Sequence, residues 1–487
     1  MNHANRALRY WLGEKSDPEH TRFFVDALNA RGWVAGDAEQ WDTAWLTPMP
    51  EPRVYAQLGP DQRINHIPGN NQLTVKSALH QTLRAAAQRW RNLPGQDGTQ
   101  AGPAFMPATF NMPDDFAALQ TAARAMPESA WIVKPANAAR GEGIYLTDSV
   151  DRVPQQPGWV VQRYLDQPHT LDGVKYVLRL YVLISSLDPL RIERFAEGSV
   201  KLASAPYDPA ERDNVYAVLT NPDVSARNPA SSVTFLSLHT YAQRLRAMGH
   251  DPDALMARLD DLIVQTVIAA VDGMRKRCAD EHVAPDRVYE LLGLDCLIDS
   301  ALKPWLLECN LSPSLEICAN EATGGREERV MKKALVDDLL VRVGIIPEPS
   351  QAGTRFKRLF PTPESSRYWP MLVSPSLADQ PAAQRALGKD FSPVFVPWQV
   401  VEHYGERGLA LEHTATGQVF NPNPTAAWIW LQAVSGMPAD AIAKQLVATA
   451  AAASTPTLAQ AREAVWHALG EWARNGLLRQ TPVNTRL

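Results

Sequence analysis

Apolar and polar positions alternate with two different periods along this chain, and the switch between them divides it into segments. From about residue 130 to 345, short apolar runs are interspersed with helical stretches. WIVK (131–134), GWVVQRYL (158–165) and KYVLRLYVLISS (175–186) read as strands. Residues 253–277, DALMARLDDLIVQTVIAAVDGMRKR, carry apolar side chains at helical spacing and predict a long amphipathic helix. LDCLIDSALKPWLLECN (294–310) reads as two strands joined by a turn around Ser300 to Lys303. Folded between Ala301 and Leu302, this hairpin places Asp295 opposite Glu308, with Asn310 two residues on along the same face. Leu294, Cys296, Ile298, Trp305, Leu307 and Cys309 then form the other, core-facing side.

Residues 1–110 are mixed and rich in tryptophan (Trp11, Trp33, Trp41, Trp45). They include a loop and helix over RINHIPGNNQLTVKSALHQTLR, with Thr74 as the expected N-cap and Leu79 and Leu83 on one face. Prolines crowd the segment from Pro347 to Pro381, and no periodic pattern runs through it, which predicts an extended connection. The last stretch predicts three short strands (VFVPWQVVEH, LALEHTA, QVFN) and then three helices. Asn423-Pro424 starts the first helix, and Thr457 with Gln460 has capping-box spacing before the third. Leu458, Ala461, Val465, Ala468, Leu469 and Trp472 mark the apolar stripe of that helix, which reads first as core.

A chain of 487 residues exceeds one ordinary core, so more than one domain is expected. The net charge of −5 gives no reason to expect a polyanionic partner. No stretch approaches the ~18 apolar residues of a membrane span, and MNHANRALRYWLGEK lacks a signal core, so a cytoplasmic protein without membrane partners is expected. Cys278, Cys296, Cys309 and Cys318 form no CxxC pair and are expected to be buried free thiols.

The candidate chemistry follows from charge placed on strand faces. Like charges directly across a strand pair destabilise it, so Asp295, Glu308 and Asn310 on one face suggest a bound cation. Oxygen ligands favour Mg²⁺, which takes one or two carboxylates plus substrate phosphates. Two solvated acids on an open sheet face are the alternative. In WIVKPANAARGEGIYL, Lys134 at a strand end and the Arg140-Gly141-x-Gly143 loop suit a phosphate tail. Such a loop is often an ordinary turn, and it matches neither the P-loop nor GxGxxG. Lys175, Val177 and Arg179 share one strand face, and cations on so apolar a strand need anionic company. A magnesium nucleotide complements both the basic and the acidic set; unrelated surface ion pairs are the alternative.

NHIPG, KSALHQTL, WIVKPANAARGEGI, VVQRYL, LDGVKYVLRLYVLISS, VLTN and ELLGLDCLIDSALKPWLLECNLSPSLE, in that order, resemble the tubulin-tyrosine-ligase-like branch of the ATP-grasp enzymes over about residues 60–345. The resemblance implies an α/β (α+β) fold with a small N-terminal domain (1–125) and an ATP-grasp core (126–345), followed by a linker (346–392). It implies ATP- and Mg²⁺-dependent joining of a carboxylate to an amine through an acyl phosphate. Lys134, Gly141, Gly143 and Lys175 would then hold the nucleotide, Gln162, Arg163, Tyr164 and Leu165 would form the adenine hinge, and Thr220 and Asn221 would line the cleft. Arg140, Arg179 and Lys201 would act on the reacting groups, and Asp295, Glu308 and Asn310 would hold the metal. Two positions depart from the family pattern: Val177 stands where it usually has aspartate, and Lys201 where it has arginine. Both face the amino-acid or acceptor end in relatives, so amino-acid specificity does not transfer.

Residues 393–487 resemble the PqqD-like winged-helix domains that recognise precursor peptides, which implies a winged helix-turn-helix (β3α3) unit. A leader peptide would add beside Gln418, Val419, Phe420 and Asn421 and pack on the helix bearing Val465 and Leu469. Six basic and six acidic residues in this segment argue against a nucleic-acid reader. The expected function is therefore a ligase that adds a free amino acid to a ribosomally made precursor peptide. A ligase for small molecules and a non-catalytic peptide scaffold are the rival readings.

Overall fold

The computed structural model describes residues 6–14, 16–59, 61–91, 104–136, 141–347, 353–372, 394–397, 400–405, 408–450 and 456–481. The chain divides into two compact units. The larger comprises Met1–Ala87, Gly102–Leu187 and Arg191–Leu359; the smaller comprises Gln88–Ala101, Asp188–Leu190 and Phe360–Leu487.

The larger unit is built on a ten-stranded mixed sheet. Its spine runs from Phe356–Phe360 through Leu190–Leu202, Val174–Leu187 and Val288–Ile298 to Arg63–Asn65, Thr43–Ala44, Arg9–Trp11 and Val34–Ala35. Pro304–Leu311 also pairs with Val288–Ile298, over the stretch that the N-terminal strands leave free. The helix Pro252–Asp280 starts where Asp251 accepts hydrogen bonds from the backbone of Asp253 (2.9 Å) and Ala254 (3.1 Å), with Pro252 at its first position. It buries Leu255, Leu259, Ile263 and Val267. A second, four-stranded sheet orders Thr109–Met112, Trp159–Arg163, Trp131–Pro135 and Tyr145–Thr147, with Leu119, Trp131, Val133 and Val161 in its core.

The structure revises five expectations. No boundary appears at residue 125: strands from residues 9–65 extend the same sheet that carries Asp295, and Thr109–Met112 belongs to the small sheet with Lys134. Thr74 is not an N-cap; it ends the short helix Asn71–Thr74, its hydroxyl donating to the Asn70 carbonyl (3.2 Å), and the long helix begins at Lys76. Within the expected linker Phe356–Phe360 is an edge strand, and residues 348–352 and 373–392 lie outside the described residues. In the hairpin, Asp295 does pair with Glu308, but a bulge at Asp295/Cys296 pairs Cys296 with Leu306. One extra residue flips the strand beyond it, so Leu306 enters the core while Trp305 and Leu307 turn to the cleft side beside Leu297. The turn is held by Asp299, whose carboxylate accepts from the backbone of Ala301 and Lys303 and from the Trp305 indole.

The fifth revision concerns the smaller unit. Its strands are Val394–Pro397, Val400–Gly405, Gly408–His413 and Val419–Phe420, then helices Pro424–Val434, Ala439–Thr449 and Leu458–Arg474. A further strand, Leu478–Thr481, returns to pair with Val394–Pro397, an element the periodicity does not reveal. Asn423 caps the first helix and a Thr457–Gln460 capping box opens the third. Leu411, Ile429, Trp430, Val465 and Leu469 form this unit's own core. Of the cysteines, Cys278, Cys296 and Cys309 are buried free thiols and Cys318 is exposed. Among the described residues, no helix is long and apolar enough to cross a membrane.

Candidate active site

Three neighbouring strands carry the charged centre of the larger unit. Arg179 pairs in register with Asp295 across one ladder, and Asp295 with Glu308 across the next. Adjacent strands lie about 4.8 Å apart, so the three side chains stand in one row. Arg179 donates from Nε (2.6 Å) and Nη2 (3.0 Å) to the two Asp295 oxygens. Lys201, on the next strand, donates to both as well (3.1 and 2.9 Å). Burial disfavours the Asp295 carboxylate, but the charges and hydrogen bonds of Arg179 and Lys201 outweigh it and hold its pKa well below the usual carboxylate range. Burial and the Arg179 charge pull Lys201 down, against the attraction of Asp295. Asn310 Nδ2 lies 3.4 Å from Asp295 Oδ2 and 3.3 Å from Glu308 Oε1, so all three expected metal ligands converge.

These residues floor a cleft of about 470 Å³. Its opposite wall comes from the small sheet, where Lys134 Nζ donates to Gln162 Oε1 (2.9 Å). Lys175 Nζ donates to the Tyr164 hydroxyl (2.9 Å) and sits 4.3 Å from the centre of that ring. Burial pulls the Lys134 pKa down to about 8 and that of Lys175 to about 7, the latter aided by Lys134. Among the described residues neither lysine has a carboxylate at ion-pair distance. One half-buried and one buried ammonium group so placed fit an anionic ligand. Gly141 and Gly143 have φ of 77° and 68°, the left-handed region that glycine adopts freely. Gly141 lines the cleft; Arg140 lies outside the described residues.

Arg163, Tyr164, Leu165, Thr220 and Asn221 also line the cleft. The Arg163 guanidinium points to Met126 Sδ (3.8 Å), and Gln162 is engaged by Lys134 and Thr109, so only the backbone of this stretch offers a hinge edge. Val177 lines this cleft and packs with Leu165 and Leu297. Lys201, by contrast, also lines an adjoining chamber of about 380 Å³ with Arg179, Ser225, Glu328 and Lys332. Sequence reading missed Lys76, which lies 3.6 Å from Glu308 in the cleft. A lysine in the first turn of a helix opposes the helix dipole, and that mismatch was the available signal.

Among the described residues, six cationic and two acidic ones, Asp295 and Glu308, line the cleft. That balance suits a polyphosphate. Among the described residues no group of three or more His, Cys, Asp or Glu side chains forms a metal cluster. Two acids and an amide are nonetheless the donor number that Mg²⁺ takes when phosphate oxygens complete its shell.

Residues 55–351 match the Tubulin-tyrosine ligase family. The chain belongs to that family. Among its relatives, tubulin polyglutamylase TTLL5 of Homo sapiens is 30% identical over 375 residues, covering 74% of this chain and 28% of the relative. Tubulin monoglutamylase TTLL4 of Mus musculus is 32% identical over 290 residues (57% and 23%), and a probable beta-tubulin polyglutamylase of Tetrahymena thermophila 32% over 294 (57% and 24%). The matched stretch thus spans about a quarter of each of these longer proteins.

The comparison overturns the expected precursor-peptide substrate and leader-peptide partner, because the relatives are named for modifying tubulin. The structure agrees for part of the expected peptide surface. Val465 and Leu469 are fully buried in the core of the C-terminal unit and have no free face for a ligand. Gln418, Val419 and Asn421 are exposed, and Phe420 is half-buried.

Proposed function

We propose that this member of the tubulin-tyrosine ligase family is an ATP-dependent ligase that joins an amino acid to a carboxylate of a protein acceptor. The observation that carries it is the row Arg179–Asp295–Glu308 facing the half-buried Lys134 and the buried Lys175 in one cleft, neither lysine having a carboxylate at ion-pair distance among the described residues. The adenine base would lie against the backbone of Arg163–Leu165, with Ile132 and Leu307 supplying apolar faces. Lys134, Lys175 and the Gly141 turn would hold the phosphates. Asp295, Glu308 and Asn310 would hold Mg²⁺, which supplies charge neutralisation for phosphoryl transfer to a carboxylate.

Arg179 and Lys201 line both the cleft and the adjoining chamber. They would receive the carboxylate undergoing activation and offset its developing negative charge. The chamber takes the amino acid and the acceptor. Glutamate and tubulin, which the relatives' names point to, are the first donor and acceptor to test. We read the C-terminal unit as a winged helix-turn-helix module; no substrate is assigned to it.

The test is incubation of the full chain with MgATP, glutamate and tubulin, with mass spectrometry of the acceptor and nucleotide analysis. ADP with an acceptor heavier by one glutamyl residue supports the proposal. AMP with pyrophosphate would overturn the acyl-phosphate route.

A further inference from the structure

Midway between hinge and metal ligands, the cleft floor changes from charged to hydrocarbon. Lys175, Val177 and Arg179 stand on one face of the strand Val174–Leu187, alternate side chains being about 6.7 Å apart. Lys175 is anchored on Tyr164 at the hinge, and Arg179 on Asp295 at the metal end. Val177 is the residue between them. It packs with Leu165 and Leu297, and Trp305 and Leu307 close the cluster. The bulge at Asp295/Cys296 builds this strip, since it turns Trp305 and Leu307 to the cleft side. Among the described lining residues the only acids are Asp295 and Glu308, both in the metal row.

A nucleotide with its base on Arg163–Leu165 and its phosphates toward Lys134 and Gly141 lays its sugar across Val177 and Leu297. We infer that the sugar is seated by shape on hydrocarbon and that its 2′-hydroxyl is not read. The chain then accepts ribo- and 2′-deoxyribonucleoside triphosphates with similar affinity. This inference rests on the proposed nucleotide site. A carboxylate at position 177 would accept a hydrogen bond from the sugar, and such a charge-assisted bond is worth about tenfold or more in affinity.

The test is equilibrium titration of the full chain with MgATP and with the magnesium complex of 2′-deoxyATP. The two dissociation constants are expected to agree within about threefold. Val177→Asp should shift the preference toward ATP by about tenfold or more. Val177→Asn, which offers an acceptor without a buried charge, should shift it in the same direction by less. A wild-type preference for ATP of tenfold or more overturns the inference while leaving the nucleotide site standing. Failure of both nucleotides to bind overturns the site and the inference together. The wild-type ratio decides the matter even if a variant does not fold.

Discussion

Replacing Asp295 with asparagine removes one negative charge from a buried cluster of three. The Asp295, Arg179 and Lys201 side chains are 8%, 10% and 16% exposed. Asparagine keeps the shape but offers one oxygen in place of two, so Arg179 and Lys201 compete for a single neutral acceptor. Breaking a buried ion pair from one side costs about 3–5 kcal/mol. Lys201 already binds its proton less tightly than a free lysine, from burial and from Arg179, and can shed it once Asp295 is neutral. The cost should therefore fall at the lower end, about 3 kcal/mol. Calorimetry of the full chain should show this loss in the transition of the larger unit.

Adding Lys201→Met removes one of the stranded cations, so the double variant should be more stable than Asp295→Asn alone. The pH dependence has a definite sign. The Asp295 pKa is depressed by folding, so its contribution is complete above the unfolded value of about 3.9 and drains as pH falls below it. Wild type and Asp295→Asn should converge in acid. A loss under about 1 kcal/mol at neutral pH, or a double variant less stable than the single, would refute the reasoning.

Nucleotide binding should take up protons near pH 8: phosphate raises the depressed pKa values of Lys134 and Lys175, and Lys175→Met should reduce the uptake measured by calorimetry in buffers of different ionisation enthalpy. Gly293→Ala puts a methyl 2.8 Å from Pro313 Cβ and 3.1 Å from Arg179 Cδ, so it should cost about 1–3 kcal/mol and slow ligation by displacing Arg179. Trp430→Ala empties a fully buried site and removes the indole that donates to Glu402 at 2.8 Å, so chemical denaturation should show the C-terminal unit weakened by about 3–5 kcal/mol.

The pairing of Asp295 with Glu308 was legible in the sequence because strand pairing is a local rule. Asp295 and Glu308 flank one hairpin, and alternation from a single turn fixes their pairing. The apolar pattern beyond them was misread at Trp305 and Leu307, because a bulge inserts a residue without leaving a compositional mark. Lys175 and Arg179 were legible as cations on an apolar strand. Their different fates, one against Tyr164 and one against Asp295, depend on contacts that no local pattern encodes. Lys76 reaches Glu308 across a long sequence separation, which no local pattern encodes. In the C-terminal unit, caps and helical stripes were plain. The strand Leu478–Thr481 was not, since it is short and its partner lies far back in the chain.

That last pairing has a consequence for engineering residues 394–481. Val394–Pro397 enters the fold and Leu478–Thr481 leaves it side by side, zipped antiparallel. A body whose two ends emerge together can be spliced into a host loop, or circularly permuted, without stretching its interior. Residues 394–481 therefore suit grafting into an unrelated carrier, where their stability can be measured apart from the rest of the chain.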